Sequence, residues 1–253
     1  MTISTLILLC TGCFFAALVD AIAGGGGLIS LPTFLMTGIP PHIALGTNKF
    51  SSSMGTLVSS ANFIKSKKAD MSLLKYILPF VFLGALLGVY SVLLIDANIL
   101  TPFVGILILV VGVYTMFSKN MGMIDNFEGL NRKNIFCGIV LGFTLGFYDG
   151  FFGPGTGSFL IFGLIHIYGF GMDKANGNAK IMNFTSNIAS LLAFGIGGKI
   201  DYRMGLIGAV FMMLGAFVGS KLAIKKGSKL IKPVFISISL IIAVKMSIKA
   251  LGI

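Results

Sequence analysis

The sequence predicts an all-α polytopic membrane protein, and three observations lead to this fold class. The 253-residue chain is 56% hydrophobic and only 11% charged, whereas an average soluble domain carries about 25% charged residues. Its mean hydropathy is +0.98. Its apolar residues fall into runs of about 20, the length that a helix needs to span a bilayer. We therefore expect an integral membrane protein and not a soluble enzyme.

About eight of these apolar runs are long enough to cross a membrane as helices. They are 3–22, 44–64, 73–95, 98–117, 134–152, 176–197, 204–222 and 231–251. Two shorter apolar segments, 27–37 and 156–170, each follow a glycine-rich break. We expect these two segments to be re-entrant half-helices or short tilted spans.

The polar segment 118–133 divides the chain into two membrane repeats of nearly equal length. The first repeat is 1–117 and the second is 134–253, and together they form one transmembrane domain. Residues 44–88 laid on 175–219, an offset of 131, match at 12 of 45 positions. Such self-similarity predicts an internal duplication.

Charged residues in register strengthen this prediction, because hydrophobic segments do not match in charge by accident. Lys49 falls on Lys180 at the offset of 131, and Asp20 falls on Asp149 at an offset of 129. An inverted arrangement of the repeats places twelve Lys and Arg residues in the cytoplasmic loops and two outside, against nine and five for a parallel arrangement. The positive-inside rule therefore favours inverted repeats, a common design of secondary transporters.

The net charge of +11 does not indicate a nucleic-acid partner. The basic residues lie in short clusters between hydrophobic runs instead of on one soluble face. We expect a multi-pass protein of the cell membrane whose surroundings are the lipid bilayer.

The first glycine-rich break follows Asp20 and spans Gly24 to Gly27. Four glycines in a row cost roughly 1 kcal/mol each relative to alanine in a helix, so the helix should end there. The helix that restarts near Leu28 would direct free N–H groups and the positive end of its dipole into the protein, which favours an anion. The alternative is that the glycines only permit close helix packing.

The second break, from Gly153 to Gly157, has the same character and follows Asp149. Thr156 or Ser158 is a candidate cap for the helix that restarts there. A polar start to the next long helix follows each break, and it contains Lys49 in the first half and Lys180 in the second. An ionisable residue inside a membrane segment indicates function, although a lysine one turn inside a helix can also snorkel to the headgroups.

Asp20 and Asp149 have two interpretations, as structural partners of the lysines or as carriers of a coupling proton. A third interpretation makes them the dyad of an intramembrane aspartyl hydrolase. His42 and His166 lack a second metal ligand at helical spacing, so no metal site is expected. The chain also lacks a GxxxxGK[ST] loop, so no nucleotide cofactor is expected.

These segments resemble the sulfite exporter TauE/SafE family of integral membrane proteins. The resemblance rests on AGGGG at 23–27 with Ser30 and Pro32, GTNK at 46–49, GPGTGS at 153–158 and the order of the helices. It implies a permease for sulfite, sulfoacetate or similar anions. The chain departs from the family pattern at 177–180, where GNAK replaces a GT-type pair.

We therefore expect a secondary transporter of small anions, with an uncoupled channel or a scaffold as the alternatives. The candidate proton carriers are Asp20 and Asp149. The candidate substrate-binding residues are Gly25, Gly26, Gly27, Leu28, Thr47, Asn48, Lys49, Gly155, Thr156, Gly157, Asn178 and Lys180.

Overall fold

The computed structural model describes residues 2–96 and 125–226, which contain eight α-helices and no strand. The helices are α1 (Ile3–Ala23), α2 (Gly27–Met36), α3 (Pro41–Lys65), α4 (Met71–Leu93), α5 (Arg132–Phe151), α6 (Thr156–Tyr168), α7 (Met172–Ile196) and α8 (Tyr202–Lys226). Six of the predicted spans and both short segments coincide with these helices. The predicted spans 98–117 and 231–251 lie outside the described residues.

Four of the described helices, α1, α4, α5 and α8, are long and apolar enough to cross a membrane. Their outward faces carry large apolar side chains, such as Ile7, Tyr90, Phe136 and Leu206, each more than half exposed. A water-soluble surface rarely shows so much continuous apolar area, whereas lipid accommodates it. The all-α membrane fold class is therefore confirmed.

The two longest interior helices, α3 and α7, differ from these four because their centres are polar. Each contains 25 residues, and serine, threonine, asparagine and lysine side chains along them are buried. Helices α1, α4 and α8 pack around them. The sequence located both helices correctly, and their buried polar faces form the polar centre of the protein.

Helices α3 and α7 run antiparallel to each other. The Ser60 hydroxyl donates to the carbonyl of Lys180 at 3.0 Å, and the Asn187 amide donates to Thr56 Oγ1 at 3.4 Å. From the first contact to the second, the residue on α3 moves towards the N-terminus and the residue on α7 moves towards the C-terminus. Helices at equivalent positions of inverted repeats run in opposite directions, whereas those of parallel repeats run in the same direction. The observed crossing has the geometry that the inverted arrangement requires, and the duplication itself stays a prediction.

The turn that follows α7 packs against the start of α3. Gly46 lies so close to the carbonyl oxygen of Lys199 that a Cβ atom would collide with it. One residue later, Thr47 Oγ1 accepts a hydrogen bond from the amide of Asp201 at 2.9 Å.

The turn that follows α3 packs against α7 in the same way. Gly177 lies against the carbonyl oxygen of Lys68, and Asn178 Oδ1 accepts from the amide of Asp70 at 2.8 Å. Each residue in one set of contacts lies 131 positions from its counterpart in the other set: Gly177 from Gly46, Asn178 from Thr47, Lys199 from Lys68 and Asp201 from Asp70. Two turns thus fix the relative position of the central helices.

Two apolar cores lie on either side of this polar centre. One contains Ile77, Leu164 and Met182, and the other contains Leu31 and Phe194, all of them completely or almost completely buried. Polar groups between two dry cores are shielded from lipid, so buried charges there need partners from the protein itself.

Candidate functional site

The first glycine-rich break is present where the sequence predicted it. Helix α1 ends at Ala23, and Gly24 and Gly25 follow with φ angles of 73° and 97°. This left-handed region is accessible to glycine at little cost. Helix α2 then begins at Gly27, one residue before the predicted restart at Leu28.

The second break has the same construction between α5 and α6. Gly153 and Gly155 have φ angles of 96° and 87°, and α6 begins at Thr156. The prediction that Thr156 or Ser158 caps α6 is wrong, because Gly155 occupies the N-cap position without a side-chain bond. The Thr156 hydroxyl donates to the carbonyl of Gly153 at 2.7 Å, and the Ser158 hydroxyl donates to that of Ala23 at 3.4 Å.

The two breaks contact each other in the centre of the protein. Gly24 lies against the backbone of Gly157 and Ser158, and Gly27 lies against Pro154. Any side chain at Gly24 or Gly157 would collide with the opposite backbone. The breaks therefore permit a close approach in addition to ending helices, so the packing and functional interpretations of the glycines are compatible.

The carbonyl groups at the end of α1 are satisfied by the second half of the chain. Asn176 Nδ2 donates to the carbonyls of Ala21 and Ile22 at 3.2 and 2.9 Å. The first-turn N–H groups of α2 and α6 have no acceptor within their own helices, as at any helix start. The amides of Leu28, Ile29 and Thr156 already donate to the carbonyls of Gly25, Gly26 and Gly153, so each break offers an anion the positive dipole end of a helix.

Two buried ion pairs join the halves of the chain. Lys49 Nζ on α3 lies 2.7 Å from Asp149 Oδ2 on α5, and Lys180 Nζ on α7 lies 2.9 Å from Asp20 Oδ2 on α1. The lysine side chains are only 3% and 0% exposed, so neither snorkels to the headgroups. Asp20 and Asp149 are each paired with a lysine, which is not the shared-proton geometry of an aspartyl hydrolase.

The two pairs differ in their surroundings. Asp149 Oδ2 also accepts a short hydrogen bond from the Ser186 hydroxyl, and Lys49 Nζ also donates to Asn187 Oδ1 at 3.2 Å. Within the described part of the chain, Asp20 accepts one further bond, from the Gly26 amide at 3.2 Å, and its side chain is 15% exposed against 3% for Asp149.

A small cavity lies between the breaks and the central helices. Its volume is about 40 Å³. One water needs about 10–15 Å³, so the cavity can hold a few waters or one small ion. Its polar lining residues outside the glycine breaks are Asp20, Ser30, Asn48, Lys49, Ser52, Thr56, Ser59, Asp149, Asn183 and Asn187.

Most of the predicted site residues line this cavity, and four do not. The residues that line it are Gly25, Gly26, Gly27, Asn48, Lys49, Gly155, Thr156, Gly157, Asp20 and Asp149. Lys180 is separated from it by its partner Asp20, and Leu28 packs in an apolar core. Thr47 and Asn178 bind the turns that follow α7 and α3 and do not line the cavity.

Sequence reasoning missed several polar side chains that line the cavity further along α3 and α7. Ser52, Thr56 and Ser59 follow Lys49 at helical spacing, and Asn183 and Asn187 follow Lys180 in the same way. Residues three and four apart share one face of a helix, so this spacing was a readable signal. What the spacing could not show is that both faces meet at one cavity.

The comparisons with known proteins agree with this architecture. A sequence model of the family described as sulfite exporter TauE/SafE matches residues 9–246. The chain belongs to this family. It is 42% identical to a probable membrane transporter protein of Haemophilus influenzae, covering 95% of this chain and 93% of that one.

Two more distant relatives also match over most of their length. The probable membrane transporter protein YfcA of Escherichia coli K12 is 35% identical, over 91% of this chain and 85% of its own length. YunE of Bacillus subtilis, named in the same words, is 23% identical over 87% of both chains. No solved structure matches the chain. The protein is a membrane transporter of the TauE/SafE family.

Proposed function

We propose that this protein is a secondary transporter that moves small sulfur oxyanions or organosulfonates, such as sulfite or sulfoacetate, across the cell membrane. The observation that carries the proposal is the position of Lys49, a buried cation that lines a small cavity between the starts of α2 and α6. The family name supplies the substrate class.

The chemistry of the cavity suits a small oxygen-rich anion. Two helix starts provide positive dipole ends, Asn183 in the lining carries a side-chain amide donor, and Lys49 supplies a positive charge. The nearby Asp149 neutralises that charge, so a bound anion must compete with it or the carboxylate must take up a proton. This competition favours coupling of anion movement to protons, with Asp20 and Asp149 as the candidate carriers.

The proposal is tested by flux in proteoliposomes loaded in turn with sulfite, sulfoacetate, thiosulfate, sulfate and acetate, with and without a pH gradient. We expect selective flux of one sulfur anion, increased by the gradient. Flux of equal size with and without the gradient would identify an uncoupled channel instead.

The test variant is Lys49→Gln combined with Asp149→Asn, which removes the cation without leaving an unpaired buried charge. The matched control is Lys174→Gln with Asp125→Asn, which neutralises a surface ion pair of 2.8 Å outside the cavity. We expect flux to be lost in the first variant and retained in the second. Equal flux in both variants would remove Lys49 from the site.

A further inference from the structure

We propose that Asp20 is the carboxylate that exchanges the coupling proton, and that its protonation releases Lys180 to bind a monoanion. This inference rests on the proposed function and assigns different tasks to two ion pairs that occupy equivalent positions in the sequence. The two ion pairs differ in their access to the cavity, in their hydrogen bonds and in the position of each lysine.

The first difference is access to the cavity. Both carboxylates contribute to its lining, but the Asp20 side chain is 15% exposed and that of Asp149 only 3%. A proton that arrives through water in the cavity reaches Asp20 more readily. Asp149 is enclosed by α5 and α7 with almost no exposed surface.

The second difference is the number and quality of the donors that hold each carboxylate. Asp149 Oδ2 receives Lys49 Nζ at 2.7 Å and a short bond from the Ser186 hydroxyl. Asp20 receives Lys180 Nζ at 2.9 Å and one long amide bond from Gly26 at 3.2 Å. Short charge-assisted bonds are the strong ones, so protonation disrupts less at Asp20 than at Asp149.

The third difference is the position of the paired lysine relative to the cavity. Lys49 lines the cavity, whereas Lys180 is completely buried and, among the described residues, donates to Asp20. When Asp20 takes up a proton, an O–H bond forms and the ion pair with Lys180 is lost. Lys180 keeps its charge and takes as its new partner the anion held in the cavity beside Lys49, since an unpaired buried ammonium is costly.

The charge balance then selects a monoanion. Before binding, the Asp20 carboxylate and the Lys180 ammonium sum to zero. After one proton and one monoanion enter, the carboxylic acid, the ammonium and the monoanion again sum to zero. A dianion would leave one negative charge buried between the apolar cores. Hydrogen sulfite therefore fits this step, and each anion moves together with one proton.

No other titratable side chain in the described part of the chain faces Asp20 across the cavity apart from Lys180, Lys49 and Asp149. Helix α2 has no titratable residue. The titratable residues of α6 and α8, among them His166 and Lys221, do not line the cavity, and Lys221 lies over the exposed ring of Phe217.

The first test needs no substrate and follows the carboxyl stretching band of purified protein by infrared spectroscopy as the pH is lowered. Two charge-balanced variants assign the bands: Asp20→Asn with Lys180→Gln, and Asp149→Asn with Lys49→Gln. We expect the band that is missing from the first variant to appear at higher pH than the band missing from the second. The reverse order, or simultaneous appearance, would overturn the proposal.

The second test uses Asp20→Asn alone, which imitates the protonated acid, in proteoliposomes containing hydrogen sulfite. We expect exchange of labelled for unlabelled anion to continue, independent of pH, while accumulation driven by a pH gradient is lost. Accumulation at the wild-type level would refute the role of Asp20. Absence of flux in the wild type would refute the substrate class, and the infrared order would still decide the assignment of Asp20.

Discussion

At the scale of single residues, the buried Lys–Asp pairs impose the strictest constraint on substitution. Removing one member leaves an uncompensated buried charge, which costs about 3–5 kcal/mol. We therefore expect Lys49→Ala to lower thermal stability far more than Lys49→Gln with Asp149→Asn. Thermal unfolding of the purified variants in detergent measures the loss of stability. Equal losses in the two variants would show that the unpaired charge of Asp149 is not the cause.

Ser186 and Ser190 provide a second comparison on one helix. Both serines are buried, but Ser186 donates to the Asp149 carboxylate, whereas Ser190 Oγ has no hydrogen-bond partner in the described structure. A hydrogen bond to a charged group contributes about 1.5–3 kcal/mol. Ser186→Ala should therefore lower stability by this amount, and Ser190→Ala should leave it unchanged or increase it. Similar losses at both positions would contradict the assigned bond.

The identity of the central charged residues could be predicted from the sequence, but their partners could not. Lys49, Lys180, Asp20 and Asp149 stand out because charges inside apolar runs are rare. Each pairs with a residue more than 90 positions away in the chain, and only the packing of α1, α3, α5 and α7 brings them together. The bond of Thr47 to the distant turn at Asp201 could not be predicted for the same reason.

At the scale of elements, glycine composition predicted both helix breaks, because the cost of glycine in a helix is local. The predicted cap by Thr156 or Ser158 failed because capping depends on neighbours. The Ser158 hydroxyl is taken by the end of α1, a contact between elements far apart in the chain. Local signals thus located the ends of helices better than they described the bonds formed there.

The contact of Gly177 with the turn after α3 leads to a prediction at this scale. A methyl group at Gly177 would collide with the carbonyl of Lys68, and a forced shift in a packed interior costs about 1–3 kcal/mol. Gly177→Ala should therefore reduce the thermal stability. The control is Gly195→Ala on the same helix, where an added Cβ meets its nearest atoms at an ordinary 3.7 Å. A loss of thermal stability at Gly195 as large as that at Gly177 would contradict the close contact between α7 and the turn after α3.

At the scale of the whole molecule, the antiparallel crossing of α3 and α7 bears on the orientation of the two halves. Loop charges in the sequence favoured inversion, but they could not show which helices touch. If the halves are inverted, the turn after α3 and the turn after α7 lie on opposite faces of the membrane. The relative placement of the helices across the bilayer is therefore open to direct measurement.

Single cysteines at Lys65 and Lys199 test this arrangement, since both positions are exposed. The background protein has Cys10, Cys13 and Cys137 replaced by alanine. A membrane-impermeant maleimide added to intact cells should label Lys199→Cys at once and Lys65→Cys only after permeabilisation. Labelling of both positions from the same side would indicate parallel halves.

The central claim is that the cavity beside Lys49 binds a small sulfur anion, and direct binding tests it most simply. Calorimetric titration of hydrogen sulfite into purified protein should show one site per chain in the wild type and in Lys174→Gln with Asp125→Asn. It should show no binding to Lys49→Gln with Asp149→Asn. That variant must first be shown to be folded by its elution in size-exclusion chromatography and by a cooperative thermal unfolding transition. Undiminished binding to this variant would contradict the account and place the anion elsewhere in the protein.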